Sequence, residues 1–150
     1  MVRREPQTLT IEVIMGYCIS QTESSFFIPK ELFGPALQSI RSLMKKDPSD
    51  GTGKSCFFSW VNTEKVLEAK TLTDALKAWR WEPTLDEHGD IIDLRFMGEK
   101  SGADYFMFDA IAPYVGSHSY ISMAGEDHYR WRWFFDEGVL FEQKGVITYT

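Results

Sequence analysis

Hydrophobic and polar residues alternate along the first part of the chain, which is the period-two pattern of a half-buried strand. After a bend that contains two prolines, the spacing of apolar residues changes to that of an amphipathic helix beginning at Gly34-Pro35. The strand carries its apolar positions at Leu9, Ile11, Val13, Met15, Tyr17 and Ile19, and the helix at Ala36, Leu37, Ile40, Leu43 and Met44.

The middle of the chain predicts a second helix within Asn62–Arg80, after a short strand at Cys56–Val61. The helix is clearest from Thr71, because Thr71 and Asp74 have the spacing of a capping box. Its buried stripe would consist of Leu72, Ala75, Leu76 and Trp79.

A hairpin is expected next, with its turn at Asp86–Asp90. In its second strand, alternation places Ile92, Leu94 and Phe96 in the core and leaves Asp93 and Arg95 in water. Pro83 cannot donate a ladder hydrogen bond, so the first strand should lie at a sheet edge or contain a bulge.

A third helix is predicted to start at Ser101 and to end at Pro113 and Gly116. Ser101 and Asp104 again suggest a cap, and the apolar residues extend around most of the helix, so it should be the most buried one. These residues are Tyr105, Phe106, Phe108, Ile111, Ala112 and Val115.

Three closely spaced strands end the chain, with turns at "GEDH" and "DEG". They are predicted at Ser119–Ala124, Tyr129–Phe135 and Val139–Tyr149, with a bulge at Gly145. The order of elements favours an α+β fold: a mainly antiparallel sheet, about three helices packed on one face, and a C-terminal three-stranded meander.

Composition fits one globular domain spanning residues 1–150, in which residues 1–7 are expected to form a flexible extension. Hydrophobic residues make up 43% of the chain and charged residues 25%, so disorder is not expected. The net charge of −6 argues against nucleic-acid and membrane partners, which require clustered Lys and Arg. Two cysteines without a signal peptide indicate a cytoplasmic protein.

The tripeptide Gly53-Lys54-Ser55 matches the end of a phosphate-binding loop, but the rest of that motif is missing. Pro48 stands where the first glycine belongs and lacks the N–H that would bind phosphate. The expected order of strand, loop and helix is also reversed. We therefore interpret the segment as a polar connector and predict no nucleotide cofactor.

The most distinctive segment is "GEDHYRWRWFFDEG", in which aromatic residues recur at every second position. Tyr129, Trp131, Trp133 and Phe135 share one strand face, which predicts a core face. Arg130, Arg132 and Phe134 share the other face, where Glu142 or Asp93 could pair with the arginines. The alternative is that part of the Trp face forms a binding groove, which Trp60, Trp79 and Trp81 could join.

Candidates for catalysis or metal binding are few. His118 and His128 flank one predicted strand, and Glu126 and Asp127 lie in the adjoining turn. These four residues are candidates for a cluster that performs acid–base chemistry or binds a metal. Its spacing matches no metal motif. Cys18 and Cys56 lie in apolar contexts that keep a thiol protonated and unreactive. We therefore expect no catalytic residue, no metal and no cofactor.

The GED turn, the WRW strand and the acidic-glycine turn resemble those of a family of small uncharacterised bacterial and phage proteins, as do "APYVGSHSYISM" and "MGYCIS". The resemblance implies an origin in which small acidic proteins that block a host protein are frequent.

The function expected is a non-catalytic protein-interaction module, with another protein as partner and a homodimer through an edge strand as a further possibility. Its candidate binding residues are Arg130, Trp131, Arg132, Trp133, Glu126, Asp127, His118 and His128. The alternative function is a small-ligand binder or enzyme with a pocket beside the hairpin of residues 118–133.

Overall fold

The computed structural model describes residues 17–45, 58 and 60–145, and within them it confirms the α+β class. Single 3-10 turns occur at Lys30–Leu32 and Ala112–Tyr114. The strands and helices are β1 (Ile19–Ser25), α1 (Phe33–Lys45), α2 (Thr63–Glu68), α3 (Leu72–Ala78), β2 (Trp81–Leu85), β3 (Ile91–Phe96), α4 (Asp104–Ile111), β4 (Ser119–Gly125), β5 (Arg130–Asp136) and β6 (Val139–Lys144).

The C-terminal meander is confirmed and belongs to a four-stranded antiparallel sheet in the order β1-β4-β5-β6. Strands β5 and β6 are joined by Glu137 and Gly138, whose φ angles are 50° and 76°. Two consecutive positive φ values match the right-handed twist of a tight hairpin. The predicted continuation of the last strand beyond Gly145 lies outside the described residues.

A second, two-stranded sheet of β2 and β3 lies beside the free side of β1. Isolated bridges join Cys18 to Lys100 and Ile28 to Ile91. Between them, the Gln21 amide donates to the Leu94 carbonyl at 2.8 Å and accepts from the Phe96 N–H at 2.8 Å. One side-chain amide thus does what a backbone peptide does in a ladder, and it joins the two sheets.

The prediction that Ile92 faces the core is wrong, because β3 contains a bulge at this residue. Thr84 pairs with Asp93 and Leu85 with Ile91, so Ile92 is the extra residue in β3. The bulge shifts the alternation by one position, since two residues of β3 oppose one of β2. Ile91 and Leu94 are therefore buried, while Ile92 is exposed.

The helices follow the sequence patterns in part. In α1, Ala36, Leu37, Ile40 and Met44 are buried as predicted. The segment Asn62–Arg80, in which the sequence predicts one helix, contains two, α2 and α3, because the backbone extends at Ala69, whose carbonyl accepts from the Arg41 guanidinium. The predicted cap is confirmed: the Asp74 N–H donates to the Thr71 hydroxyl, and the predicted stripe of α3 is buried.

The prediction for the third helix is wrong at its start. Helix α4 has Ala103 at its N-cap, and no side chain caps it, so Ser101 does not have the predicted role. Its buried stripe is Asp104, Met107, Phe108 and Ile111. Tyr105 and Phe106 consequently face outward and are exposed.

Several other predictions fall on residues that the structure does not describe. These are the alternation over Leu9–Met15, the extension of residues 1–7, the tripeptide Gly53-Lys54-Ser55, and Cys56 with most of its short strand. The described residues of that short strand, Phe58, Trp60 and Val61, are not in a strand.

The core is organised around the Phe108 ring of α4. Its centroid lies 5.0 Å from those of Trp81 and Trp133, 5.9 Å from that of Phe135 and 6.3 Å from that of Phe26. Helix α4 therefore packs on one face of the four-stranded sheet, and Trp81 brings the small sheet into the same cluster. We call this the inner face of the four-stranded sheet, and the opposite one the outer face.

A buried ion pair fixes α4 against the small sheet. The Arg80 guanidinium lies 3.2 Å from Asp104 Oδ2, and the Trp81 indole N–H donates to Asp104 Oδ1 at 3.0 Å. Arg80 also donates to the Lys100 carbonyl at 2.8 Å and has a φ of 76°. Burial raises the pKa of the Asp104 carboxyl, and Arg80 and Trp81 oppose that shift.

We predict that Asp104→Ala destabilises the fold by about 3–5 kcal/mol, because it leaves a largely buried guanidinium without its counter-charge and the Trp81 indole N–H without its acceptor. The double variant Arg80→Gly/Asp104→Ala should be more stable than Asp104→Ala alone, because it removes both the unpaired charge and the side chain held at positive φ. Urea denaturation of the three proteins measures the difference.

The control is Lys77→Ala, which removes an exposed ion pair with Glu82 at 4.0 Å. It should cost less than about 1 kcal/mol. A cost for Asp104→Ala that is no greater than that of the control would show that the buried pair does not hold the fold together.

Candidate functional site

The two faces of the WRW strand, β5, differ sharply in burial. On the inner face Trp133 is 4% exposed and Phe135 is fully buried, while Trp131 and Tyr129 are half-buried. Trp79 and Trp81 are also fully buried, whereas Trp60 is exposed. Most of the predicted Trp face is therefore core, and only its Tyr129–Trp131 end approaches solvent.

The outer face is open in the described strands. No outward-facing residue of β4, β5 or β6 is buried, and Val139 and Phe141 are 50% and 49% exposed. Phe141 lies directly opposite Phe134 on the neighbouring strand. The outer face therefore offers apolar and aromatic surface to solvent.

Arg132 lies at the centre of this face. Its guanidinium lies over the Tyr120 ring, 4.4 Å from the centroid, and its Nε donates to the Ser122 hydroxyl at 2.8 Å. The Tyr120 hydroxyl donates to Glu23 Oε1 at 2.5 Å, which raises the pKa of Tyr120. The arginine is thus held over an aromatic ring by a cation–π contact and a hydrogen bond.

The predicted pairing of the arginines with carboxylates does not occur among the described residues. Glu142 lies opposite Trp133, on the inner face, and accepts from its indole N–H at 3.1 Å. Asp93 accepts from the Ser24 hydroxyl at 2.7 Å. Arg130 is exposed at the end of the same face as Arg132.

The structure does not bring His118 and His128 together. They lie at opposite ends of β4, a separation of about 23 Å for seven residues at roughly 3.3 Å each. His118 stacks on Phe134 and lies 3.5 Å from Asp136. In the described part of the chain, no group of three or more His, Cys, Asp and Glu side chains is arranged to hold a metal.

Glu126, Asp127 and His128 form the β4–β5 turn, which contacts the start of the described chain. Asp127 accepts from the Tyr17 hydroxyl and from the Tyr129 N–H, and the Glu126 N–H donates to the Cys18 carbonyl. These contacts fix the turn against the residues that precede β1.

Lys100 lies beside the same turn. Its Nζ donates to the Cys18 thiol at 2.9 Å, which raises the pKa of Lys100. The contacts described at this end of the sheet therefore join the turn, Cys18 and Lys100 to one another.

One open depression of about 400 Å³ lies between α2 and α3. It is lined by Ala69, Ala78 and charged side chains of both signs, Lys65, Glu68, Lys70, Asp74 and Lys77. It lies away from the hairpin of residues 118–133, where the alternative function would require a pocket.

Two contributors to the outer face were not among the predicted site residues. Tyr120 and Phe141 face outward by the alternation of their strands, and in the observed register Tyr120 lies opposite Phe134 and diagonal to Arg132. Glu23 gave no usable signal, because its strand was predicted to end before it.

Comparison of the chain with protein-family models, with curated proteins and with solved structures found no match. None of the described helices is long and apolar enough to cross a membrane.

We predict that Glu23→Gln lowers the pKa of Tyr120 toward its ordinary value, because the amide still accepts the phenol hydrogen bond but no longer opposes the phenolate charge. In the native protein, the stabilisation from this bond is complete below about pH 10 and is lost as pH rises through the raised pKa of Tyr120. An NMR titration of tyrosine Cζ measures the shift, with Glu31→Gln as control. An unchanged Tyr120 titration would contradict the contact.

Proposed function

We propose that this chain is a non-catalytic protein-interaction module that binds another protein through the outer face of its four-stranded sheet. The observation that carries the proposal is the contrast between the two faces: one lies in the core, and on the other no residue of β4, β5 or β6 is buried. A sheet covered by helices on one side only leaves its second face available for contact.

The chemistry of the outer face supports a protein partner. Aromatic and arginine side chains are the types that most often dominate protein interfaces. Tyr120, Arg132, Phe134 and Phe141 supply both types, and Arg132 is already positioned by its stack and hydrogen bond. A side chain that is ordered before binding loses less conformational entropy when the partner binds.

The resemblance of the GED turn and WRW strand extends the proposal to a bacterial or phage origin and to inhibition of a host protein. The net charge of −6 favours a protein over a nucleic acid or a membrane as partner. The free thiol of Cys18 supports a cytoplasmic location.

The alternative function requires His118, Glu126, Asp127 and Trp131 or Trp133 to line one concavity. His118 and the turn that carries Glu126 and Asp127 lie at opposite ends of β4, His118 is exposed, and Trp133 is buried. No observation on the described residues favours a pocket there, so we propose the interaction module alone.

The test is a pull-down from bacterial lysate with the tagged protein, followed by affinity measurement with the purified candidate partner. The variant Tyr120→Ala/Arg132→Ala removes the stacked pair from the outer face. The matched control Arg95→Ala/Tyr105→Ala removes the same residue types from exposed positions on β3 and α4. Circular dichroism establishes that both variants are folded.

We expect the wild type and the control to capture the same protein and the outer-face variant to bind it at least about 30-fold more weakly, as for an interface hot spot of roughly 2 kcal/mol. A partner lost with the control and kept by the outer-face variant would place the interface elsewhere. Failure to capture any partner, with a melting temperature raised by a metal or metabolite, would favour the ligand-binding alternative.

A further inference from the structure

Strand β6 has backbone groups that no described residue pairs. It is the last strand in the order of the described sheet, so no described strand lies on its other side. Residues Asp136 and Val139 close the tight turn, and hydrogen-bonded pairs alternate from there along the ladder. The bond from the Gly145 N–H to the Arg130 carbonyl at 2.8 Å fits this alternation. The N–H and C=O groups of Leu140, Glu142 and Lys144 therefore lie in the plane of the sheet and point away from β5.

The other edges are closed to strand addition by features of their own. The free side of β1 is occupied by the Gln21 contacts to Leu94 and Phe96. Strand β2 contains Pro83, which has no N–H to donate. Among the described strands, β6 alone lacks such protection, and it also exposes Val139 and Phe141.

We propose that β6 pairs with β6 of a second copy of this chain, antiparallel, about a two-fold axis that passes through Gln143. Because this axis is perpendicular to the sheet, the inner faces of the two copies lie on the same side. Each residue of β6 therefore lies opposite a residue of the partner that belongs to the same face. The resulting pairs are Glu142 with the partner's Lys144, Lys144 with the partner's Glu142, and Phe141 with the partner's Gly145. The two four-stranded sheets become one eight-stranded sheet.

Charge complementarity selects this register. Glu142 and Lys144 lie on the same face of β6 and are both exposed, and the two-fold axis forms two opposite-charge pairs from them. One oxygen of Glu142 accepts from Trp133, which leaves the second for the partner's lysine. A shift of the axis to Glu142 would oppose two glutamates, and a shift to Phe141 would set Glu142 against Leu140.

The outer face also favours this register. Gly145 has no side chain, and an added Cβ there would lie 2.8 Å from Arg130 Cβ. An aromatic ring from a neighbouring strand commonly covers a glycine in a sheet. Phe141, which is half exposed, would cover the partner's Gly145 on each side of the axis.

The pairing goes beyond the proposed function and is independent of it, because it uses the strand edge and not the Tyr120–Arg132 stack. If both hold, the dimer presents two outer faces side by side on one sheet. A bivalent module of this kind binds a repeated or dimeric partner more tightly than one face does.

The test uses Glu142→Lys and Lys144→Glu, each measured alone and as an equimolar mixture by sedimentation velocity across a concentration series. Each single variant creates two like-charge pairs, so its self-association should be at least about tenfold weaker than that of the wild type. In the mixture, one copy carries two lysines and the other two glutamates, so both pairs become opposite in charge. We expect the mixture to dimerise.

The control is Lys77→Glu, which reverses an exposed charge on α3 and should dimerise like the wild type. A wild type that is monomeric at every concentration would overturn the pairing and would assign the charges of β6 to protection of the edge. Dimerisation of Lys144→Glu alone would overturn the proposed register. Failure of the mixture to dimerise would overturn it as well.

Discussion

The pairing of Arg80 with Asp104 is the contact on which the arrangement of helices and sheets depends. Arg80 follows α3 and precedes β2, Asp104 begins α4, and the Lys100 carbonyl lies on the loop between β3 and α4. The same carboxylate accepts from Trp81, whose ring packs on Phe108 and on Trp133 of the larger sheet. One buried carboxylate thus fixes the small sheet, the last helix and the aromatic core relative to each other.

This contact also has a free-energy cost. Arg80 adopts a positive φ, at a position after a helix where glycine is usual, with a strain of roughly 1–2 kcal/mol. Burial of Asp104 disfavours its charge. The conformation is therefore favourable only with Asp104 and Arg80 together, because loss of either partner leaves an uncompensated buried charge.

The division of the sheet into a covered and an open face follows from this packing. Because Trp81, Phe108 and Trp133 form one cluster, the core is confined to the inner face. The amide of Gln21 closes the β1 side, so among the described residues the open surface of the larger sheet consists of its outer face and the β6 edge. The two proposals rest on these two surfaces.

The predictions from the sequence are correct where the local spacing of apolar residues determines the structure. The meander, the cap at Thr71 and the buried face of α1 all follow from spacing of two or of three to four residues. They are wrong where one local irregularity of the backbone shifts that spacing. The bulge at Ile92 inverted part of β3, and the start of α4 at Asp104 turned Tyr105 and Phe106 outward.

The candidate site was predicted only in part, because its pairs are distant in sequence. Arg132 was placed on the outer face correctly, but its partner is the Tyr120 ring and not a carboxylate. Glu142 was assigned to the wrong face because its register against Trp133 is set by the two-residue turn. The Arg80–Asp104 pair spans 24 positions, and no local pattern signals such a contact.

The most direct test of the account is residue-resolved amide hydrogen exchange of β6 by NMR, in dilute and in concentrated protein. In dilute protein, the account predicts slow exchange at Phe141 and Gln143, which bond to β5, and fast exchange at Glu142 and Lys144. On concentration, Glu142 and Lys144 should become protected as well. Slow exchange of these two amides already in dilute monomer would show that the edge is covered within the chain, and would contradict the account.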